Sequence, residues 1–193
     1  MTGDRKAKMR RPDWDQVYFS MMYIFGLRSS DPNTKVGALI VNSENILVSA
    51  GYNGWPRYIQ EMPEGDKRLE RPLKYKWIEH GERNAIYNAG RMGVSLEGCS
   101  LYISGVPCTD CARAIIQSGI IEVIVHSEAN QLWLTVDGSK DQWSDDNIQS
   151  CLMLAEAHVK IKYWDGKLLE PIFYHRNQEN LFEIDDLGLL TRL

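Results

Sequence analysis

Two short segments constrain the fold of this chain more than any other feature: His80-Gly81-Glu82 and Pro107-Cys108-Thr109-Asp110-Cys111. Cys108 and Cys111 stand three apart at a predicted helix start, which puts both sulfurs on one helix face. A helix N-terminus carries partial positive charge and favours thiolate, the form that binds metal. His80 begins a second predicted helix and brings a third, nitrogen, donor. Three protein ligands leave a tetrahedral Zn²⁺ with its fourth position open, which marks a catalytic rather than a structural site. Two thiolates and a neutral imidazole balance the metal, so a bound water ionises near neutrality. Glu82 lies two residues past His80, near the metal but badly placed to share it, where it is suited to move a proton.

A lone C-x-x-C is often a redox pair or half of a structural zinc site, and His-x-Glu alone carries little information. The two together, with Pro107 in place and both halves starting helices, specify a catalytic zinc site. The same combination marks zinc deaminases of nucleobases, so hydrolytic deamination is the expected chemistry. Cys99 begins a buried strand and Cys151 sits in a helix among Leu152 and Leu154, so both are expected to be core thiols. His126, His158 and His175 have no partners at ligand spacing and are assigned structural or exposed roles, without a second zinc site.

Composition narrows the partners. The chain has 193 residues, 44% of them hydrophobic and 25% charged, the size of one domain with a sizeable core. The first eleven residues hold five basic side chains and one acid, while the remaining 182 hold 17 basic against 25 acidic. A body that acidic repels a phosphate backbone, which excludes long nucleic acid as the expected partner and leaves a small anion in a local basic pocket. No apolar run approaches the roughly 20 residues of a membrane span. The basic N-terminus leads into no apolar stretch, so the expectation is a cytoplasmic protein without a secretory signal.

Asp13 reads as an N-cap, with Gln16 completing a capping box, and Trp14, Val17, Met21 and Ile24 follow at helical spacing to about Leu27. Residues 35–41 and 46–52 read as a hairpin around the turn 42–45. Residues 54–79 form the longest irregular stretch. A helix from His80 to Ala89 is expected to stop at Gly90, followed by a strand from Cys99 to Ser104. A helix from Cys108 to Ser118, a buried strand from Ile121 to His126, a helix capped by Asp146 through Ala157 and a strand from Val159 to Trp164 complete the pattern. That order predicts an α/β fold, a single sheet covered by helices. Residues 1–193 are read as one domain, with a basic arm over about 1–12. The tail over about 168–193 is acidic near its end (Glu179, Glu183, Asp185, Asp186) and expected over the surface or in a subunit contact.

Several segments together resemble the deoxycytidylate (dCMP) deaminase family. They are Arg28 to Gly37 (R-S-S-D-P-N-T-K-V-G), the turn 42–45, Gly51-Tyr52-Asn53-Gly54, Lys74-Tyr75 and Cys111 to Gly119. The likeness covers roughly residues 13 to 164. It implies a cytidine deaminase-like three-layer α-β-α fold with a mixed five-stranded sheet, and deamination of dCMP to dUMP for thymidylate synthesis. It also implies a homo-hexamer activated by dCTP and inhibited by dTTP, with Mg²⁺ on the triphosphate. Carried over, Arg28 is the candidate for the substrate phosphate and Asn53 for the sugar and base, while Gly51, Tyr52, Asn53 and Gly54 are candidates for effector contact. The alternative for Arg28 is a cation offsetting a helix C-terminus, and for Asn53 a turn residue beside Gly54.

Gly81 stands where the family usually has Ala. The segment after Ser127 lacks the family's aromatic near the base, for which Trp133 is a candidate substitute or a core residue. Six basic residues of 54–79 (Arg57, Lys67, Arg68, Arg71, Lys74, Lys76) offer triphosphate contacts, or else form a solvated loop with the interspersed acids. Competing readings are a deaminase of tRNA adenosine or single-stranded DNA, disfavoured by the acidic body, and a silent nucleotide-binding zinc module, disfavoured by the intact Glu82.

Overall fold

The structure, a computed structural model, describes residues 11–60, 66–136, 142–169, 172–175, 178–184 and 190–192. Over 133–136, 142–144 and from 172 onward it describes the backbone alone. The chain runs through helix α1 (Trp14–Gly26), strands β1 (Gly37–Val41) and β2 (Leu47–Tyr52), a 3-10 turn (Lys67–Leu69) and helices α2 (Lys74–Trp77) and α3 (Gly81–Met92). Strand β3 (Ser100–Ile103), helix α4 (Thr109–Gln117), strand β4 (Glu122–His126) and helices α5 (Ser127–Val136) and α6 (Gln142–Glu156) follow. Strands β5 (Lys160–Trp164), β6 (Ile172–His175), β7 (Gln178–Ile184) and β8 (Leu190–Arg192) complete it.

Five strands form one mixed sheet in the order β2-β1-β3-β4-β5, antiparallel from β2 to β3 and parallel from β3 to β5. Successive residues of a strand face opposite sides. Ala38 and Ile40 of β1 accordingly join a core with Ala85 and Ala89 of α3, Ile115 of α4 and Leu154 of α6. Leu39 and Val41 join the other core, with Tyr18, Phe19 and Met22 of α1 and Trp164 of β5. Helices thus cover both faces, and the sheet is the middle of three layers, as the sequence predicts.

The face of α1 differs from the expected one. Its buried residues are Tyr18, Phe19, Met22 and Gly26, whereas Trp14 is 47% and Ile24 60% exposed. The helix is apolar nearly all round, so period alone does not choose its inner side. Aromatic packing does, with Phe19 stacked on Trp164 at 4.6 Å and edge-on to Tyr102 at 5.3 Å. Asp13 caps the helix by accepting from Gln16 N at 2.8 Å, but Gln16 Nε2 donates to Lys167 O, so the capping box forms in one direction only.

Three other boundaries move. Helix α3 runs through Gly90 and ends at Gly93, whose φ of 68° is the left-handed conformation a helix terminus favours. Helix α6 begins at Gln142, which puts Asp146 inside it rather than at its cap. Helix α5 and a three-stranded antiparallel sheet β6-β7-β8 occupy stretches the sequence left without elements. The side chains of Glu179 and Glu183 on β7, residues Asp185 and Asp186, and the arm over 1–10 lie outside the described residues. Among the described residues no helix is long and apolar enough to cross a membrane.

Candidate active site

His80 and Cys108 are the N-caps of α3 and α4, and neither side chain makes a capping hydrogen bond. Both are left to point at each other. His80 Nδ1 lies 3.5 Å from Cys108 Sγ and 3.5 Å from Cys111 Sγ, and the three ligand atoms fall within 4.8 Å of one another. With Zn–S near 2.3 Å and Zn–N near 2.0–2.1 Å, a tetrahedral angle sets nitrogen and sulfur about 3.5 Å apart. The donor set therefore fits zinc in type and in spacing. Among the described residues no other His, Cys, Asp or Glu group meets this test.

The electrostatics are those of a donor set that wants a cation. Hydrogen bonds from Cys111 and His80 pull the Cys108 pKa down to about 4. The Cys111 thiol moves the other way, raised by its hydrogen bond to Cys108 and by burial. His80 rises to about 9 through its bond to Cys108, against the effect of burial. Arg83 braces the site from outside, pairing with Glu79 and, at 3.2 Å, with Asp110 Oδ2 of the opposite helix. Burial opposes its charge, but Cys111 and Glu79 outweigh that and raise its pKa. Glu82 is 7% exposed, and burial raises the pKa of its carboxyl.

His80, Glu82 and Cys108 open onto one cavity of about 490 Å³, within the range of small-molecule sites. Asn53 lines it and is buried, but its amide is largely engaged. Oδ1 accepts from Val36 N at 2.8 Å, and Nδ2 donates to Thr34 O at 2.7 Å. Asp31, fully buried, accepts from Asn33 N and Thr34 N and pairs with Lys74 Nζ at 2.6 Å. The segments 31–34, 51–54 and α2 thus meet in one buried polar network beside the catalytic pole.

Arg28 is exposed and is not among the cavity's lining residues. It follows the end of α1, where its backbone N–H donates to Phe25 O, the placement of a C-terminal cation. The cations in the wall are Arg71 and Lys74. Gly51, Asn53 and Gly54 are buried and Tyr52 is half-buried beneath α3; of the four, Asn53 lines the cavity.

Nor are the described parts of 54–79 a plain solvated loop. The Arg68 guanidinium lies 4.8 Å from the Trp55 ring centroid and 5.0 Å from that of Trp77, and it pairs with Asp66 at 2.8 Å. Lys74 is likewise engaged, with Asp31. Asn130, whose Oδ1 accepts from Val106 N at 3.0 Å, and Asn147 also line the cavity. Sequence reasoning missed both: α5 was not assigned, and Asn147, inside the predicted helix capped by Asp146, carries no local signal that it faces the cavity. The side chain of Trp133 lies outside the described residues. Cys99 is a buried core thiol, and His126 is buried against Tyr23 and Trp164, as expected of structural residues.

Residues 12–127 match the family described as the cytidine and deoxycytidylate deaminase zinc-binding region. Deoxycytidylate deaminase of Homo sapiens is 40% identical over 121 residues, which are 60% of this chain and 66% of that protein. The chain thus spans about two thirds of the length of that curated relative. An uncharacterized deaminase in the luxG 3′ region of Aliivibrio fischeri is 36% identical over 150 residues, 78% of this chain and 92% of that protein. In fold, dCMP deaminase of cyanophage S-TIM5, solved with dCMP and dUMP, gives a TM-score of 0.59 at 22% identity, covering 81% of this chain and 100% of that one.

Proposed function

The chain belongs to the cytidine and deoxycytidylate deaminase zinc-binding family, and from that membership we propose that it converts dCMP and water to dUMP and ammonia. The observation that carries the reading is the nitrogen and two sulfurs at zinc spacing, with the buried Glu82 opening onto the same cavity. His80, Cys108 and Cys111 would hold the zinc, which when bound supplies a Lewis acid and lowers the pKa of water. Glu82 takes one proton of the attacking water and passes it to the cytosine ring nitrogen, then takes the second from the hydroxyl added at C4 and delivers it to the amine, which leaves as ammonia as the C4–N bond breaks and C4=O forms. Burial favours its protonated form, which suits a group that must hold a proton between two transfers. Asn53 orders the cavity wall, and its Oδ1, which accepts from Val36 N, has one further acceptor position to offer the sugar or base.

The phosphate end of dCMP needs a cation in that wall. Arg71 lines that wall and is assigned this role, whereas Arg28 lies outside it. The reading places the activity in a single deaminase domain over 1–193 and extends to a homo-hexamer activated by dCTP and inhibited by dTTP with Mg²⁺. Of the four residues proposed for effector contact, Gly51, Tyr52, Asn53 and Gly54, Asn53 alone lines the cavity. Rate curves against dCMP with each triphosphate test this extension: sigmoidal kinetics relieved by dCTP support it, and hyperbolic curves unmoved by either nucleotide contradict it.

Ammonia release from dCMP, deoxycytidine and a single-stranded oligonucleotide tests the substrate. Turnover favouring dCMP is expected, and turnover of the oligonucleotide alone would overturn the proposal. In the same assay Glu82→Gln lowers kcat by about a hundred- to ten-thousand-fold while zinc content stays unchanged. Equal rates for the two proteins would remove Glu82 from the chemistry.

A further inference from the structure

The first N–H groups of an α-helix lack an acceptor within the helix, and the side chain of the N-cap residue ordinarily supplies one. In α4 that residue is Cys108, and its side chain makes no capping bond because Sγ faces His80 Nδ1. A sulfur held for a metal is not available to the helix. The acceptor comes instead from α6. Asp146 Oδ2 accepts from Thr109 N at 3.1 Å and Oδ1 accepts from Thr109 Oγ1 at 2.7 Å, across 37 positions of sequence. Thr109 is the first residue of α4, so the carboxylate sits at the positive end of the helix, where negative charge is favourable.

We propose that Asp146 is a positioning residue, a surrogate N-cap delivered by α6 that holds Cys108 and Cys111 in metal-binding geometry. The inference rests on the zinc reading above. Asp110, the acid within the Cys-x-x-Cys segment itself, does not serve, because it is paired with Arg83 and Arg113. Helix α3 uses the same device in shorter form. Its N-cap is the ligand His80, and the preceding Glu79 accepts from His80 N at 3.1 Å. Both ligand-bearing helix starts are therefore supported by carboxylates that are not ligands. Asn147, next to Asp146, lines the cavity, so the first half of α6 touches the substrate wall and the metal loop with adjacent residues.

The test is zinc release from the purified holoenzyme into excess chelator, with the absorption of the Co²⁺-substituted protein as a second readout. Asp146→Ala is expected to speed release by between about 2-fold and 30-fold, the span of a lost N-cap. It is also expected to weaken the Co²⁺–thiolate absorption. Asp146→Asn, whose amide oxygen still accepts from Thr109 N, restores part of both. A purely structural cap would lower the melting midpoints of zinc-loaded and zinc-stripped protein equally, whereas a positioning cap lowers the loaded form more. Release at the wild-type rate from folded Asp146→Ala overturns the proposal. Should that variant not fold, Thr109→Pro, which removes both donors to Asp146 at a first helical position that accepts proline and leaves α6 intact, carries the same test, and an unchanged rate has the same force. If the wild-type protein retains no zinc, the zinc reading itself falls, which separates the two failures.

Discussion

At the scale of single residues, the polar groups of the cavity wall are tied to one another and to the backbone. Asn53, Asp31 and Lys74 satisfy one another and the backbone around them, and the buried Lys74–Asp31 pair leaves little net charge at that wall. Arg71 lies at the same wall, its guanidinium 5.8 Å from the Tyr75 ring centroid. A hydrogen bond to a charged group contributes about 1.5–3 kcal/mol, so Arg71→Gln is expected to raise KM for dCMP by about 10- to 150-fold. KM for deoxycytidine, which has no phosphate, should stay within about twofold. Arg28→Gln should leave both unchanged. The reverse pattern, a dCMP-specific defect in Arg28→Gln with Arg71→Gln silent, would return the phosphate to the end of α1.

Among the elements, α3 matters most to the site, because its first residues carry His80 and Glu82 and its body lies on β2. The contact is close enough that a Cβ on Gly51 of β2 would fall on the backbone of Gly81 and Ala85. Overpacking against backbone costs about 1–3 kcal/mol, so Gly51→Ala should lower the urea midpoint accordingly. It should also speed zinc release, since α3 is displaced at the end that carries His80. Lost stability with zinc release unchanged would mean that the helix shifts only at its far end. These elements were legible in the sequence wherever period and burial coincide. The hairpin, the strand after Cys99 and the two ligand-bearing helices fall within a few residues of their predicted bounds. The reading slipped where local signals compete with tertiary contacts. Gly90 does not stop α3, Asp146 caps a different helix from the one it belongs to, and α1 turns its aromatic side inward. Arg68 between Trp55 and Trp77 was out of reach for the same reason, since only tertiary contact brings these three side chains together.

For the molecule as a whole, pH acts on the core under α1 as well as on the metal donors. His126 is 6% exposed, packed at 5.3 Å from the Trp164 ring and 2.5 Å from Tyr23 Oη through Nδ1. Burial lowers its pKa below the ordinary 6.5, the neighbouring Glu128 opposing that only in part, while burial and Glu128 push Tyr23 up to about 12. The fold therefore holds a neutral imidazole. Below pH 6.5 the unfolded chain takes up a proton that the folded chain resists, so stability present above that pH is lost as pH falls through the folded pKa. His80 titrates with the opposite sign in metal-free protein, because its folded pKa is raised. The measurement is therefore made on zinc-loaded protein, where metal holds the His80 nitrogen. Urea midpoints between about pH 7.5 and 5.5 should fall for the wild type and fall less steeply for His126→Gln, which keeps a polar partner for Tyr23 but does not titrate. Parallel slopes for the two proteins would show that the acid sensitivity of the fold arises elsewhere than beneath α1.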